Sequence, residues 1–124
     1  MRRQFLTLLA APLLIAAEGG GGAPMVALDP LIAPVVDNDR VTGVLLVAVT
    51  LTSDEPEFGA RIEPVRPRVV EACLSAVVEE ARVGVDLDRP VNAIRLASRL
   101  QTAVDALRLG KVRVLVTEIS TRRG

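Results

Sequence analysis

Histidine is absent from this 124-residue chain, and so are tryptophan and tyrosine. The commonest general base and metal ligand is therefore missing. One cysteine, two close pairs of aspartates, a run of glycines and a set of arginines remain able to do chemistry. Cys73 stands alone, which excludes an intramolecular disulfide. It falls on the apolar stripe of a helical pattern with no base beside it. A buried thiol acting as a small hydrophobe is expected there, not a nucleophile. Asp37 with Asp39 and Asp86 with Asp88 are the closest acid pairs outside the loops and helices, and all four lie in turn-like sequence. Asp37-Asn38-Asp39 is half of what a calcium loop needs. Such a loop also requires further oxygens, a mid-loop glycine and a closing glutamate, so turn chemistry is the better fit. Gly19 to Gly22 could cradle phosphate only between a strand and a helix N-terminus, and neither flanks it.

The arginines offer binding rather than catalysis. Arg95 and Arg99 stand one helical turn apart and could hold a phosphate or a carboxylate, although a helix also needs a solvated face. Arg61, Arg66 and Arg68 cluster with Glu57 and Glu63, a mixed-charge surface or a docking patch. Arg61, Arg66, Arg68, Arg95 and Arg99 are thus the candidates for partner docking. No residue is assigned to catalysis, a cofactor or a metal. Hydrolysis would need a nucleophile with its base, or two convergent carboxylates, and the pattern supplies neither.

Lysine plus arginine and aspartate plus glutamate both number 15, so the net charge is zero. Nothing electrostatic argues for nucleic acid or an anionic membrane surface as a partner. At 50% hydrophobic and 24% charged, the chain has room for one domain.

The N-terminus divides from the rest. Arg2 and Arg3 precede an apolar run from Phe5 to Ala17. That run is short for a bilayer span, which needs about 20 residues, and suits the apolar core of a secretory signal. The stretch "RRQFL" resembles a twin-arginine export signal. Residues 1–18 are therefore expected to be a signal peptide, cut after Ala17 or Gly19, or a short membrane anchor if uncut. Residues 19–24 form a Gly-rich linker, and 25–124 the folded domain. The arginine head is expected to stay inside and the domain to be exported.

The elements that must position these residues start from Val41 to Thr52, a long uncharged run of aliphatic and β-branched residues. Its odd-numbered face is wholly apolar and its even-numbered face ends in threonines, as in a strand covered fully on one side and partly on the other. Met25 to Val36 carries Pro30 and Pro34, which predicts an edge strand, or two pieces with a break, paired to the first strand as a hairpin. Ser53 to Arg66 reads as loop with one irregular helical turn. A helix starts at Pro67, with Val70, Cys73, Leu74, Val77, Val78 and Ala81 facing inward, Glu71, Glu79, Glu80 and Arg82 mostly off that stripe, and Gly84 as its stop. Asp88 is the expected N-cap of a second helix from about Pro90 to Leu107, with Ile94, Ala97, Leu100, Val104 and Leu107 inward. Gly110 suits a left-handed cap. In the closing strand Val112, Val114 and Val116 take one face, Leu115 and Ile119 the other. The expected fold is α+β: a small antiparallel sheet with two helices packed on one face, in the order β-β-α-α-β, preceded by the apolar N-terminal helix.

Four stretches, in this order, resemble the FliL family of flagellar basal body-associated proteins. "ALDPLIAPV" is similar to that family's opening Leu-Asp-Pro and strand, and "VLLVAVTLT" to its long second strand. "PRVVEACLSAVV" resembles its Pro-initiated helix, with Pro67, Val69, Glu71, Ala72 and Leu74 at matching spacing. "VDALRLGKVRVLVTEI" resembles its helix, Gly-Lys-Val turn and closing strand, with Thr117-Glu118. The set spans Leu28 to Ile119. The chain departs from the family in its short apolar N-terminal run and in Val114, Leu115 and Ile119, where aromatics are common. The resemblance implies a non-enzymatic periplasmic domain with a stomatin-like fold. It implies flagellar stator and basal-body proteins as partners, self-association into a homo-oligomer, attachment to the inner membrane if the N-terminal segment is uncleaved, and a role in motility. A general envelope scaffold or adaptor unrelated to flagella is the alternative.

Overall fold

The computed structural model describes residues 25–124, and the expectations for the signal or anchor and the linker lie outside them. Four strands and three helices follow in the order β1 (Met25–Ala27), β2 (Leu31–Asp37), β3 (Arg40–Thr52), α1 (Phe58–Ile62), α2 (Arg66–Val83), α3 (Ala93–Asp105) and β4 (Arg113–Arg123). The expected α+β class and antiparallel sheet are found, with α2 and α3 on one face.

β3 is the axis of the sheet. It runs 13 residues and pairs antiparallel on both sides. β4 lies along one side, and β1 and β2 lie end to end along the other. The edge strand does break in two, around Asp29 and Pro30, yet Leu28 keeps the line by donating its N–H to the Val49 carbonyl at 3.0 Å. Pro34 is accommodated on this edge, where a missing N–H costs little. Asn38 and Asp39 form the two-residue hairpin turn with φ of 51° and 64°. Both central residues in the left-handed region match the twist of the flanking strands. That turn is the structural use of the Asp37–Asp39 pair.

Period-two alternation decides the layers. Leu45, Val47, Val49 and Leu51 are buried beneath the helices. Val26, Leu31, Ala33 and Val35 join them from the edge, and Val114 from β4. The opposite face carries no helix among the described residues, and Ile32 and Val44 are exposed on it. The loop after β3 drops Phe58 and Ile62 into the core through α1, the expected helical turn, which runs into a 3₁₀ turn over Glu63–Val65.

Several local expectations change. On α2 the buried side chains are Val69, Cys73, Val77, Glu80 and Ala81, so the stripe is rotated by about one residue and Leu74 is exposed. α3 starts at Ala93, and its cap is Asn92, whose side chain accepts from the Arg95 N–H at 3.0 Å; Asp88 is not the cap. The buried face of α3 is Leu96, Leu100 and Val104, while Ile94 is 85% exposed. The helix ends at Asp105, before Leu107. Gly110 does adopt positive φ, at 92°, but it lies in the turn beyond the helix end, where Arg108 is also left-handed at 58°. In β4, Ile119 pairs with Val47 on the helix side, because a bulge between the pairs at Ala48 and Val49 reverses the alternation expected from sequence.

No helix among the described residues is long and apolar enough to cross a membrane.

Candidate functional site

The two arginines expected on a solvated helix face converge on an acid. Glu80 sits on the inner side of α2 and is fully buried. Arg95, in the first turn of α3, donates from Nε at 2.9 Å and from Nη2 at 2.6 Å, both to Glu80 Oε2. Its Nη2 also donates to the Gly84 carbonyl at 3.1 Å. Arg99, one turn further on, places Nε 2.8 Å from Glu80 Oε1. That second contact is ionic but poorly aligned, so Oε1 makes no hydrogen bond among the described residues. One carboxylate therefore faces two guanidiniums and leaves the cluster with net positive charge.

The backbone is shaped for this contact. A Cβ on Gly84 would collide with Arg95 Nη2 and lie 2.8 Å from Glu80 Cδ. The glycine that ends α2 thus also admits the arginine. Each guanidinium-bearing side chain remains partly exposed, Arg95 at 44% and Arg99 at 42%. They open onto a shallow groove between α2 and α3 walled by Ala72, Ala76 and Ala103 and edged by Ser98, Thr102 and Glu79, whose carboxylate balances the excess positive charge. Small side chains let another backbone or side chain approach closely. The N–H groups not used by Glu80 can receive a carboxylate or similar acceptor.

The other three arginines do not join this site. Arg61 binds the Leu109 carbonyl at 2.6 Å, pairs with Glu55, and lies over the Phe58 ring at 5.9 Å. It ties the loop after β3 to the turn before β4. Arg66 bonds the Ala27 carbonyl at 2.7 Å and Glu63 at 3.2 Å, tying the start of α2 to β1. Arg68 is exposed and has no bonded partner among the described residues. The five arginines are therefore not one patch.

The remaining reactive groups have structural roles. Cys73 is fully buried, and burial pushes its thiol up to about 11. Its thiolate is disfavoured at neutral pH. Asp86 accepts from the Asp88 N–H at 2.9 Å, and Asp88 pairs with Arg123 of β4 at 2.6 Å. Among the described residues, no three His, Cys, Asp or Glu side chains gather as a metal site would require.

Sequence reasoning missed Glu80. Val69, Cys73, Val77 and Glu80 follow helical spacing, so the signal was a stripe one residue out of phase with the most apolar one. It also missed Gln101, which accepts from the Val114 N–H at 2.9 Å and donates to the Val112 carbonyl at 2.8 Å. No sequence pattern marks a glutamine for that role. Comparison with known proteins finds no matching family model, curated protein or solved structure.

Proposed function

We propose that this protein is a non-enzymatic, FliL-like flagellar basal body-associated domain that supports motility through protein contacts near the stator. The observation that carries the reading is the ordered set of four stretches resembling that family. They fall on β1 and β2, on β3, on α2, and on the end of α3 with the turn into β4. Each is a structural element in the order the resemblance implies, and Pro67 occupies the first turn of α2. The α2–α3 groove, with Arg95 and Arg99 anchored by Glu80, is the docking surface in this reading. A carboxylate of a partner is received there by the outward N–H groups of Arg95 and Arg99.

In this reading the domain acts in the periplasm, exported by its N-terminal segment and held at the inner membrane if that segment is uncut. Deleting the gene in a swimming host tests it. Spreading in soft agar should shrink while filaments still assemble. Wild-type spreading in the deletion strain would overturn the flagellar role and leave a general envelope adaptor.

A further inference from the structure

Among the described residues β4 pairs with another strand on one side only. Its pairing with β3 extends from Arg113 to Arg123. The direction of hydrogen bonding along β3 is known at two points. Leu28 N–H reaches the Val49 carbonyl from the β1–β2 side, at 3.0 Å, and Gly124 N–H reaches the Thr42 carbonyl from the β4 side, at 2.9 Å. Backbone groups along a strand point alternately to its two sides. Val44 and Leu46 therefore bond toward β4, and their register partners Arg122 and Ser120 bond back. Ile119, Thr121 and Arg123 are left aiming N–H and C=O away from the sheet.

The start of this outer edge is already covered. Gln101 of α3 occupies it at Val112 and Val114, its side-chain amide standing in for a neighbouring strand. Past the bulge at Thr117 no such cover exists among the described residues. Thr117, Glu118 and Ser120 to Arg123 are exposed. Open edges are normally blunted by proline, charge, bulges or short length; residues 117–123 contain neither proline nor lysine, and the outer-face charges Glu118 and Arg122 are of opposite sign and can pair across a two-fold.

We propose that this edge pairs antiparallel with the same edge of a second copy of the chain, about a two-fold axis at Ser120. The charges choose the register. Glu118 and Arg122 lie on the same, outer face of the sheet, opposite Ala48 and Val44 of β3. They are symmetrically placed about Ser120. A two-fold there sets Glu118 of each copy against Arg122 of the other. It also sets Ile119 against Thr121, the residues whose backbone groups point outward, so that they exchange N–H···O bonds. Glu118 and Arg122 then occupy non-hydrogen-bonded positions, where opposed side chains come closest. Centring on Glu118 or Arg122 opposes like charges. Centring on Ile119 or Thr121 sets one of the two charges against Ser120. The product is one continuous sheet with both helical layers on the same side. This inference rests on β4 alone and stands apart from the flagellar reading.

Cysteine scanning of the full chain tests it. Ser120→Cys should form a disulfide-linked dimer on mild oxidation, because the two-fold brings the thiols face to face. Glu118→Cys and Arg122→Cys should each fail to cross-link alone and should link when mixed. Buried Cys73 stays silent in all of them. Glu118→Arg should weaken self-association in sedimentation equilibrium by roughly tenfold, since two like-charge contacts replace two opposite ones. The double variant Glu118→Arg with Arg122→Glu should restore it. A wild-type chain that stays monomeric at all concentrations would overturn the proposal. So would Ser120→Cys cross-linking no better than Glu118→Cys alone.

Discussion

Glu80 shows how much one buried side chain can demand of its neighbours. A carboxylate taken fully out of water is tolerated only with opposite charge and hydrogen bonds supplied in place. Arg95 and Arg99 supply them from α3 while remaining partly in solvent. Arg95→Ala or Arg99→Ala alone should cost about 1 kcal/mol, because the other guanidinium still faces the carboxylate and solvent screens what is lost. The double variant strands the charge and should cost about 3 kcal/mol. Adding Glu80→Leu to the double variant should recover most of that loss in urea denaturation. If the losses simply add and Glu80→Leu recovers nothing, the cluster is not a unit. Cys73 gives a second handle at this scale. Its folded pKa lies above the unfolded value, raised from 9.0 to about 11 by burial. The stabilisation is complete below pH 9 and is lost as pH rises from 9 to 11, by about 2 kcal/mol at the upper end. Cys73→Ala should flatten that decline in chemical melts, and thiol reagents should leave the folded wild type unlabelled at pH 8.

At the scale of elements, α3 shows tertiary contact overriding sequence pattern. The apolar positions 94, 97, 100, 104 and 107 and the buried set Leu96, Leu100 and Val104 share two members, so the helix had two faces it could plausibly bury. The bond from Arg95 and Arg99 to Glu80 selects one, turning Leu96 inward and Ile94 out. Leu96→Ala should therefore destabilise by roughly 2–5 kcal/mol, and Ile94→Ala by less than about 0.5 kcal/mol. Thermal melts of the two variants decide which face is buried. A similar correction occurs in β4, where the bulge at Thr117 carries Ile119 to the helix side. The Thr117 hydroxyl bonds the Ala48 carbonyl at 3.3 Å beside that bulge. On β3, Gly43 has a comparable constraint: a Cβ there would collide with the Arg122 carbonyl and come within 2.9 Å of Leu87 Cδ1.

For the whole molecule, one sheet face is roofed by α2 and α3 and the other is bare among the described residues. The reactive residue types are spent on holding the roof down: Arg61 and Arg66 clip loops to the sheet, Asp88 clips the α2–α3 connection to Arg123, and Glu80 locks the helices together. In the proposed readings the α2–α3 groove and the outer edge of β4 are the contact surfaces. A contact-making accessory should lower swimming without abolishing filament assembly, and a strain carrying both Arg95→Ala and Arg99→Ala should share that deficit if the groove is the docking surface. Normal swimming in that strain, with the variant present at wild-type level, would remove the groove from the reading.

Sequence alone determined the class of fold, the central strand, an edge element interrupted by prolines, the hairpin and the order of the helices. These follow from period-two and period-3.6 patterns, prolines and glycines, which act over a few residues and leave their mark locally. Only the tertiary structure decided which face each helix buries, that Glu80 lies inside, that Gln101 caps the start of a strand edge, and that Ile119 changes sides. Each depends on residues 10 or more apart meeting in space, and a buried charge or a bulge satisfied by a distant partner has no local signature.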